Sequence, residues 1–486
     1  MSKPSASELQ SQRRAEILGG PLLPALIKLA WPTATTAALQ GLIAAVDVVM
    51  VGQLGETAVA SVTSSRQAVM VLQVAGGAMA MGAGTLVAQA IGRGDPRHAD
   101  QVTTQALLVF ALAMLFGVVP LGWFLSEPMM RWMNPGEAEV VALGVPYMRV
   151  VVASNLFTML GFAASAALRG AGDTHTPLRI ALLANVLHVP ANYVCIFGLP
   201  AMGLPGLGVV GAAWGTAVVR TGTNLILLWW MLRGSLAVRL LGPRSWRLDL
   251  RLLVEMARIG IPASLSSIIL NLNGLAVLGI LARTDDGRMA VAAYGLGNTI
   301  RNFGTWMTWG LSDATSTMVG QNIGARQRRR ARASGFVAAK VSSLFLLAAG
   351  LLMAAAAPLV FPAILREDDP LHEQQVIAIA VQYLVSQVFA LPFLGVGMAL
   401  EGALRGAGDT MAALANNALS FLLVGVPCCA LLALEASHLG PLVVPGLGLG
   451  PVGVWLGVAA SMVTRGVSMY LKWRRVRWPL RSAAVL

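Results

Sequence analysis

Long apolar stretches recur along the whole chain, and they constrain its fold more than any other feature. Residues 106–124 and 336–359 are two of them. Each is near or above the roughly 20 residues a helix needs to cross the hydrocarbon core of a bilayer. Of the 486 residues, 56% are hydrophobic and only 12% are charged. Soluble domains carry about 25% charged residues, so the composition agrees with a membrane.

Twelve hydrophobic spans are predicted, at 22–50, 58–90, 102–125, 139–168, 177–198, 207–232, 252–282, 289–321, 334–361, 374–403, 411–434 and 450–472. The fold class expected is an all-α polytopic membrane protein with twelve transmembrane helices. Several spans exceed the bilayer thickness and must tilt, kink or extend into water. The first 20 residues are polar and lead into a long apolar stretch without a cleavage site, so the N-terminus is expected to be retained. Cys195, Cys428 and Cys429 all lie in apolar segments and read as free thiols packed like small apolar residues.

The net charge of +13 is unevenly distributed. Basic residues gather in the N-terminal tail (Lys3, Arg13, Arg14) and in every second connection. These hold Arg93 and Arg97, then Arg169 and Arg179, then the series Arg233, Arg239, Arg244, Arg247, Arg251 and Arg258, then "ARQRRRAR", then Arg405. The C-terminal "LKWRRVRW" closes the pattern. The connections between them hold Arg131, Arg283, Arg288 and Arg366, diluted by Glu56, Glu127, Asp285, Asp286 and Glu367–Asp369. By the positive-inside rule the basic loops and both termini face the cytoplasm. The basic runs therefore read as topology signals, and no nucleic-acid partner is expected.

The octapeptide "ALRGAGDT" occurs twice, at 167–174 and 403–410. Other segments repeat with it: "VAQAIG" at 87–92 and "VGQNIG" at 319–324, Pro32 and Pro262, Tyr147 and Tyr383. The chain thus divides into a tail at 1–21, a first lobe at 22–232, a linker at 233–251, a second lobe at 252–472 and a basic tail at 473–486. Six spans per lobe return the chain to its starting side, so the two lobes run parallel, related by an axis along the membrane normal. In each octapeptide, Gly170 or Gly406 is expected to end a helix in a left-handed conformation. Asp173 or Asp409 then caps the next helix, and Arg169 or Arg405 faces a C-terminal dipole. No P-loop lysine follows the Gly-Ala-Gly, which argues against a phosphate site.

These elements, with "VDVVMVGQLG" at 46–55, "HVPANYVCIFG" at 188–198 and "GAAWGT" at 211–216, resemble the multidrug and toxic compound extrusion (MATE) transporters over nearly the whole length. The resemblance implies two six-helix lobes forming a V-shaped cavity. It also implies export of drugs or metabolites coupled to entry of H⁺ or Na⁺, with no cofactor and a functional monomer.

An ionisable group at bilayer depth costs about 2.5–3.5 kcal/mol on insertion scales, so such residues are usually functional or paired. Asp47 lies within the first span. It is read as the cation-coupling carboxylate in preference to an interfacial one, since "VDVVMVG" resembles the family segment whose aspartate binds the coupling ion. The resemblance extends that site to His188, Asn192 and Thr216. His188 stands where the family has asparagine; it either carries a proton or hydrogen-bonds to Asp47 as a neutral ring. Asn192 removes a possible carboxylate, which leans the coupling ion toward H⁺. Pro190 between them frees a backbone carbonyl.

The seventh span, "GIPASLSSIILNLNGL", has no acid, and the tenth has only Glu401. A second cation site of the NorM-like type is therefore not expected. Lys28, Arg66, Arg149, Arg220, Lys340 and Arg465 are further intramembrane charges, of which Lys28, Arg149 and Lys340 are read as snorkelling. In the eighth span Arg301 and Asp313, with Trp306, Met307 and Trp309, are candidates for a wall that contacts an organic cation or amphipathic substrate. Pro32 and Pro262 are the expected hinges.

The expectation is an antiporter of the inner (plasma) membrane working by alternating access. A lipid-linked oligosaccharide flippase of the same superfamily is the alternative, expected to show extra spans or a strongly cationic cavity. An enzyme is not expected, and neither is a metal: the five histidines are dispersed and form no HExxH or similar pattern.

Overall fold

The structure is a computed structural model describing residues 6–199, 203–242, 246–285, 287–364, 370–439 and 442–476. Arg244, Asp286, Arg366, Glu367–Asp369 and the end of the basic tail from 477 lie outside the described residues.

A short helix α1 (Ala6–Gly19) precedes α2 (Leu22–Gly52), α3 (Glu56–Arg93) and α4 (Pro96–Ala113). A π-helical turn at Met114–Val118 joins α4 to α5 (Val119–Met133). Then follow α6 (Ala138–Gly170), α7 (His175–Phe197) and α8 (Gly208–Leu232). The second half repeats the order with α9 (Leu250–Leu281), α10 (Gly287–Gly324), α11 (Arg328–Ile364), α12 (Pro370–Gln387) and α13 (Leu391–Ala407). It ends with α14 (Thr410–Asn417), a π-helical stretch at Ala418–Gly425, α15 (Val426–Ala433) and α16 (Gly450–Arg475).

Among the described residues, eight helical segments are long and apolar enough to span a bilayer, and the α12–α13 pair, bent by 59°, makes a ninth. Three more, α3, α8 and α10, have 38, 25 and 38 residues. They carry buried polar side chains: Ser61 and Ser65 on α3, Thr223 on α8, and Thr308, Thr315 and Asn322 on α10. With these the twelve expected spans are accounted for. The broken tenth span has a local cause, since Pro392 in the first turn of α13 cannot continue an incoming helix.

Two strand pairs were not anticipated. β1 (Gly198–Leu199) and β2 (Leu204–Pro205) form one antiparallel hairpin, with Gly198 opposite Pro205. β3 (Ala436–Leu439) and β4 (Leu442–Pro445) form the other, with Ala436 opposite Pro445. Each joins the fifth and sixth spans of its half, so the internal repeat extends to the connections.

The chain forms two compact units. The first comprises Met1–Gly20, Trp31–Ser264 and Gly324–Arg326; the second comprises Pro21–Ala30, Leu265–Ile323 and Gln327–Leu486. Two of the boundaries fall within α2 and α9, next to Pro32 and three residues after Pro262, and the others fall before α2 and around the end of α10. They do not fall in the 233–251 segment, which is attached to the first unit. Asp100 Oδ1 accepts from Arg239 N at 2.8 Å, Thr104 Oγ1 from Leu241 N at 3.0 Å, and Gln105 Oε1 from Asp249 N at 3.0 Å. Gln105 Nε2 donates to Arg247 O at 2.7 Å, and Val238 is fully buried. One polar face of α4 thus holds the backbone of the segment.

The repeated octapeptide has a different division of labour from the one expected. The left-handed residues are the second glycines, Gly172 (φ 85°) and Gly408 (φ 81°), while Gly170 and Gly406 are helical. The first glycines serve close packing instead. A Cβ on Gly170 would meet Gly84 O at 2.3 Å, and one on Gly406 would meet Ser316 O at 2.3 Å. Asp173 caps by accepting from Thr176 N at 3.2 Å, and Asp409 by accepting from Ala412 N at 3.3 Å. The duplicated phrase therefore encodes a helix crossing, a turn and a cap in each half.

Candidate functional site

The site in the first unit is built on the contact between α7 and α8. Gly211 and Gly215, one turn apart on α8, let the two backbones approach closely, the small-residue packing that membrane helices use. A Cβ on Gly211 would lie 2.1 Å from Cys195 O, and one on Gly215 would lie 2.9 Å from Asn192 Cα. The second half repeats the device, with Gly453 against Leu432 and Gly457 against Cys429. On α7, His188 and Asn192 are four residues apart and share a face, and they are 1% and 0% exposed.

That face meets Asp47 of α2, itself buried at 7% exposure. Asp47 Oδ1 lies 2.7 Å from His188 Nε2 and accepts from Asn192 Nδ2 at 2.8 Å. Its other oxygen, Oδ2, accepts from Arg66 Nη2 at 3.2 Å, an ion pair supplied by α3. Asn192 Nδ2 also lies 3.0 Å from His188 Nε2, so carboxylate, ring and amide form a closed triangle. Asn192 Oδ1 has no hydrogen-bond partner among the described residues. Tyr147 and Arg220 stand in the surrounding electrostatic shell, and Arg220 Nη2 donates to Gln40 Oε1 of α2 at 3.4 Å.

Three of the four expected coupling residues, Asp47, His188 and Asn192, are therefore in mutual contact. Thr216, the fourth, sits half-buried on α8 beside Gly215 and makes no hydrogen bond to Asp47. Arg66 is the partner that sequence reasoning left unassigned. Its signal was present as an arginine inside a span, but nothing local named Asp47 as its counterion.

The α10 candidates separate. Trp306, Trp309 and Asp313 follow at intervals of three and four residues and share one face, whereas Arg301 lies roughly a third of a turn away, at about 100° per residue. Trp309 is half-exposed, and Trp306 packs edge-on against Phe303 at 5.5 Å. Asp313 is ion-paired with Arg405, the arginine of the second octapeptide, at 2.7 Å. Arg301 donates to Asn298 Oδ1 and has no ion pair with a carboxylate among the described residues. Pro32 and Pro262 lie inside α2 and α9, and one turn after Pro32 the Thr36 hydroxyl donates to Pro32 O at 2.8 Å.

A further ion pair, between a buried arginine and a partly buried carboxylate, lies elsewhere in the second unit. Arg465, 2% exposed, donates to Glu401 and, at 3.0 Å, to Asn417 Oδ1, with Phe421 packed against the guanidinium. Glu401 is thus committed to a structural partner.

Comparison with known proteins places the chain. The curated "Probable multidrug resistance protein NorM" of Thermotoga maritima is 26% identical over 470 residues, covering 94% of this chain and 93% of that protein. The protein of the same name from Rhizobium meliloti is 26% identical and covers 90% of each. Among solved structures, an outward-facing multidrug resistance MATE family transporter of the MOP superfamily superposes with a TM-score of 0.84 at 21% identity, over 95% of this chain and 97% of that one. That likeness shows the fold. The MatE family model matches residues 32–194 and 262–431, most of both halves, and the chain belongs to the MATE family of multi-pass membrane transporters.

Proposed function

We propose that this transporter is a proton-coupled antiporter that expels organic cations or amphipathic molecules by alternating access. The observation that carries the reading is the set of groups around Asp47. His188 Nε2, Asn192 Nδ2 and Arg66 Nη2 all approach the carboxylate. Nitrogen donors suit a carboxylate that gains and loses a proton. A sodium ion would need several oxygens in their place, and Asn192 Oδ1 is the one unpartnered oxygen in the triangle.

An entering proton is held between Asp47 Oδ1 and His188 Nε2, 2.7 Å apart. Neutralising Asp47 weakens its ion pair with Arg66 and loosens α2 from α3 and α7. The helix then bends at Pro32, where a backbone hydrogen bond is already missing, with Pro262 as the counterpart in α9. Trp306 and Trp309 offer aromatic faces to a cationic or amphipathic substrate, and Asp313 exchanges its hold on Arg405 for the arriving cation. One charge moving through 100 mV supplies about 2.3 kcal/mol. At 1.4 kcal/mol per tenfold ratio, that supports a gradient of roughly 40-fold per proton for a substrate that moves no net charge. No cofactor is required, the working unit is a monomer, and the basic loops orient both termini toward the cytoplasm in the inner (plasma) membrane.

The test is dye transport in proteoliposomes under separately imposed pH and Na⁺ gradients, for wild type and Asp47→Asn. Transport driven by the pH gradient and lost in the variant is the expected result. Transport driven by Na⁺ alone would refute proton coupling, and undiminished transport in Asp47→Asn would remove Asp47 from the mechanism.

A further inference from the structure

The second unit contains a buried set of hydrogen-bond donors that the proton site does not use. Tyr383 of α12 and Trp455 of α16 are both fully buried, with ring centroids 4.7 Å apart. Tyr294 of α10 closes the aromatic group, at 5.3 Å from Tyr383 and 6.0 Å from Trp455. The packing is tight: a Cβ on Gly297 would meet Tyr383 Cδ1 at 2.5 Å. The Tyr383 O–H and the Trp455 indole N–H donate to no acceptor among the described residues. Buried donors of this kind are rare in native structures and call for an explanation.

Arg301 supplies the charge. Its guanidinium lies beside the Tyr383 phenol oxygen, toward which it can only donate, and its Nε is buried without a partner. Nη2 is held by the neutral Asn298. Arg301 lies fourteen residues into α10, well inside the span, where an uncompensated charge is expensive. Water alone would satisfy the donors but leave the charge unbalanced. Gln387, whose Nε2 donates to Trp455 O at 3.1 Å, adds one unpartnered acceptor, Oε1, suited to a water carried in with an ion.

We propose that Arg301, Tyr383 and Trp455 form a binding site for a small monovalent anion, chloride or a carboxylate, inside the second unit. The anion neutralises Arg301 and receives the tyrosine O–H and the indole N–H. It is separate from the Asp47 triangle, so the site's existence is independent of how transport is coupled.

The experiment is thermal unfolding of the purified full-length protein in lipid nanodiscs. Chloride and acetate are each titrated against methanesulfonate at constant ionic strength. A saturable rise in the unfolding midpoint with either anion is expected. Response to chloride alone identifies an inorganic occupant, and response to acetate alone a carboxylate. Tyr383→Phe keeps the ring packing and removes one donor; because hydrogen bonds to charged groups are the stronger kind, it should weaken the apparent affinity roughly tenfold. Arg301→Gln should abolish the response. Identical midpoints in all three anions would overturn the proposal, as would unchanged apparent affinity in Tyr383→Phe and Arg301→Gln.

Discussion

Gly215→Ala tests whether the close approach of α7 and α8 is what places Asn192 on Asp47. The new methyl would sit 2.2 Å from Asn192 Oδ1 and 2.9 Å from its Cα. Rotating the amide relieves the first contact but takes Nδ2 away from the carboxylate. The second contact involves backbone and yields only if the helices separate. Carbon atoms rest at about 3.5–4.0 Å, so α7 must retreat by about 0.6 Å or more. Added to the 2.8 Å bond between Asn192 and Asp47, that gives about 3.4 Å, beyond the usual limit of about 3.2 Å. Overpacking of this kind costs about 1–3 kcal/mol, and a lost hydrogen bond to a charged group about 1.5–3 kcal/mol. The control is Gly222→Ala on the same helix, where a methyl meets nothing within 4 Å. It should leave the protein unchanged or slightly more stable, since alanine is the better helix former by about 1 kcal/mol. The assay pairs the thermal midpoint with pH-driven dye transport in proteoliposomes. Gly215→Ala should lower both relative to Gly222→Ala. Equal behaviour of the two variants would refute the reasoning.

Two further outcomes follow from the packing. Gln105→Leu removes both hydrogen bonds that clamp residues 247 and 249 to α4; trypsin should then cut within 233–251 faster than in wild type, and an unchanged cleavage rate would show that the clamp is dispensable. Glu401→Leu leaves Arg465 buried without its carboxylate, a change that costs about 3–5 kcal/mol where one partner of a buried pair is removed; a denaturation midpoint equal to wild type would show that Asn417 suffices to hold the charge.

Some of the site was readable along the chain. His188 and Asn192 share a face because 3.6 residues make a turn, and Asp47 stood out as an acid in an apolar span. Both are local properties. Arg66 was visible as a charge but not as Asp47's partner, since that pairing depends on how α3 lies against α2. Likewise the sequence marked Asp313 and Arg405 separately, and only the crossing of α10 and α13 joined them at 2.7 Å.

The octapeptide marks the same division. Its recurrence shows that the chain is a duplication, and the hydropathy pattern places twelve spans within a few residues of where the helices lie, because transfer of apolar residues into a bilayer depends on composition over about 20 residues. Which glycine turns and which one packs is not encoded at that scale. Gly172 adopts the left-handed conformation and Gly170 instead makes room for Gly84 of α3. The 233–251 segment reads as a charged linker, yet Asp100, Thr104 and Gln105 hold it against α4. Spans, repeat and candidate charges are properties of local sequence. Partners, close approaches and the attachment of connections are properties of surfaces brought together, and only tertiary packing decides them.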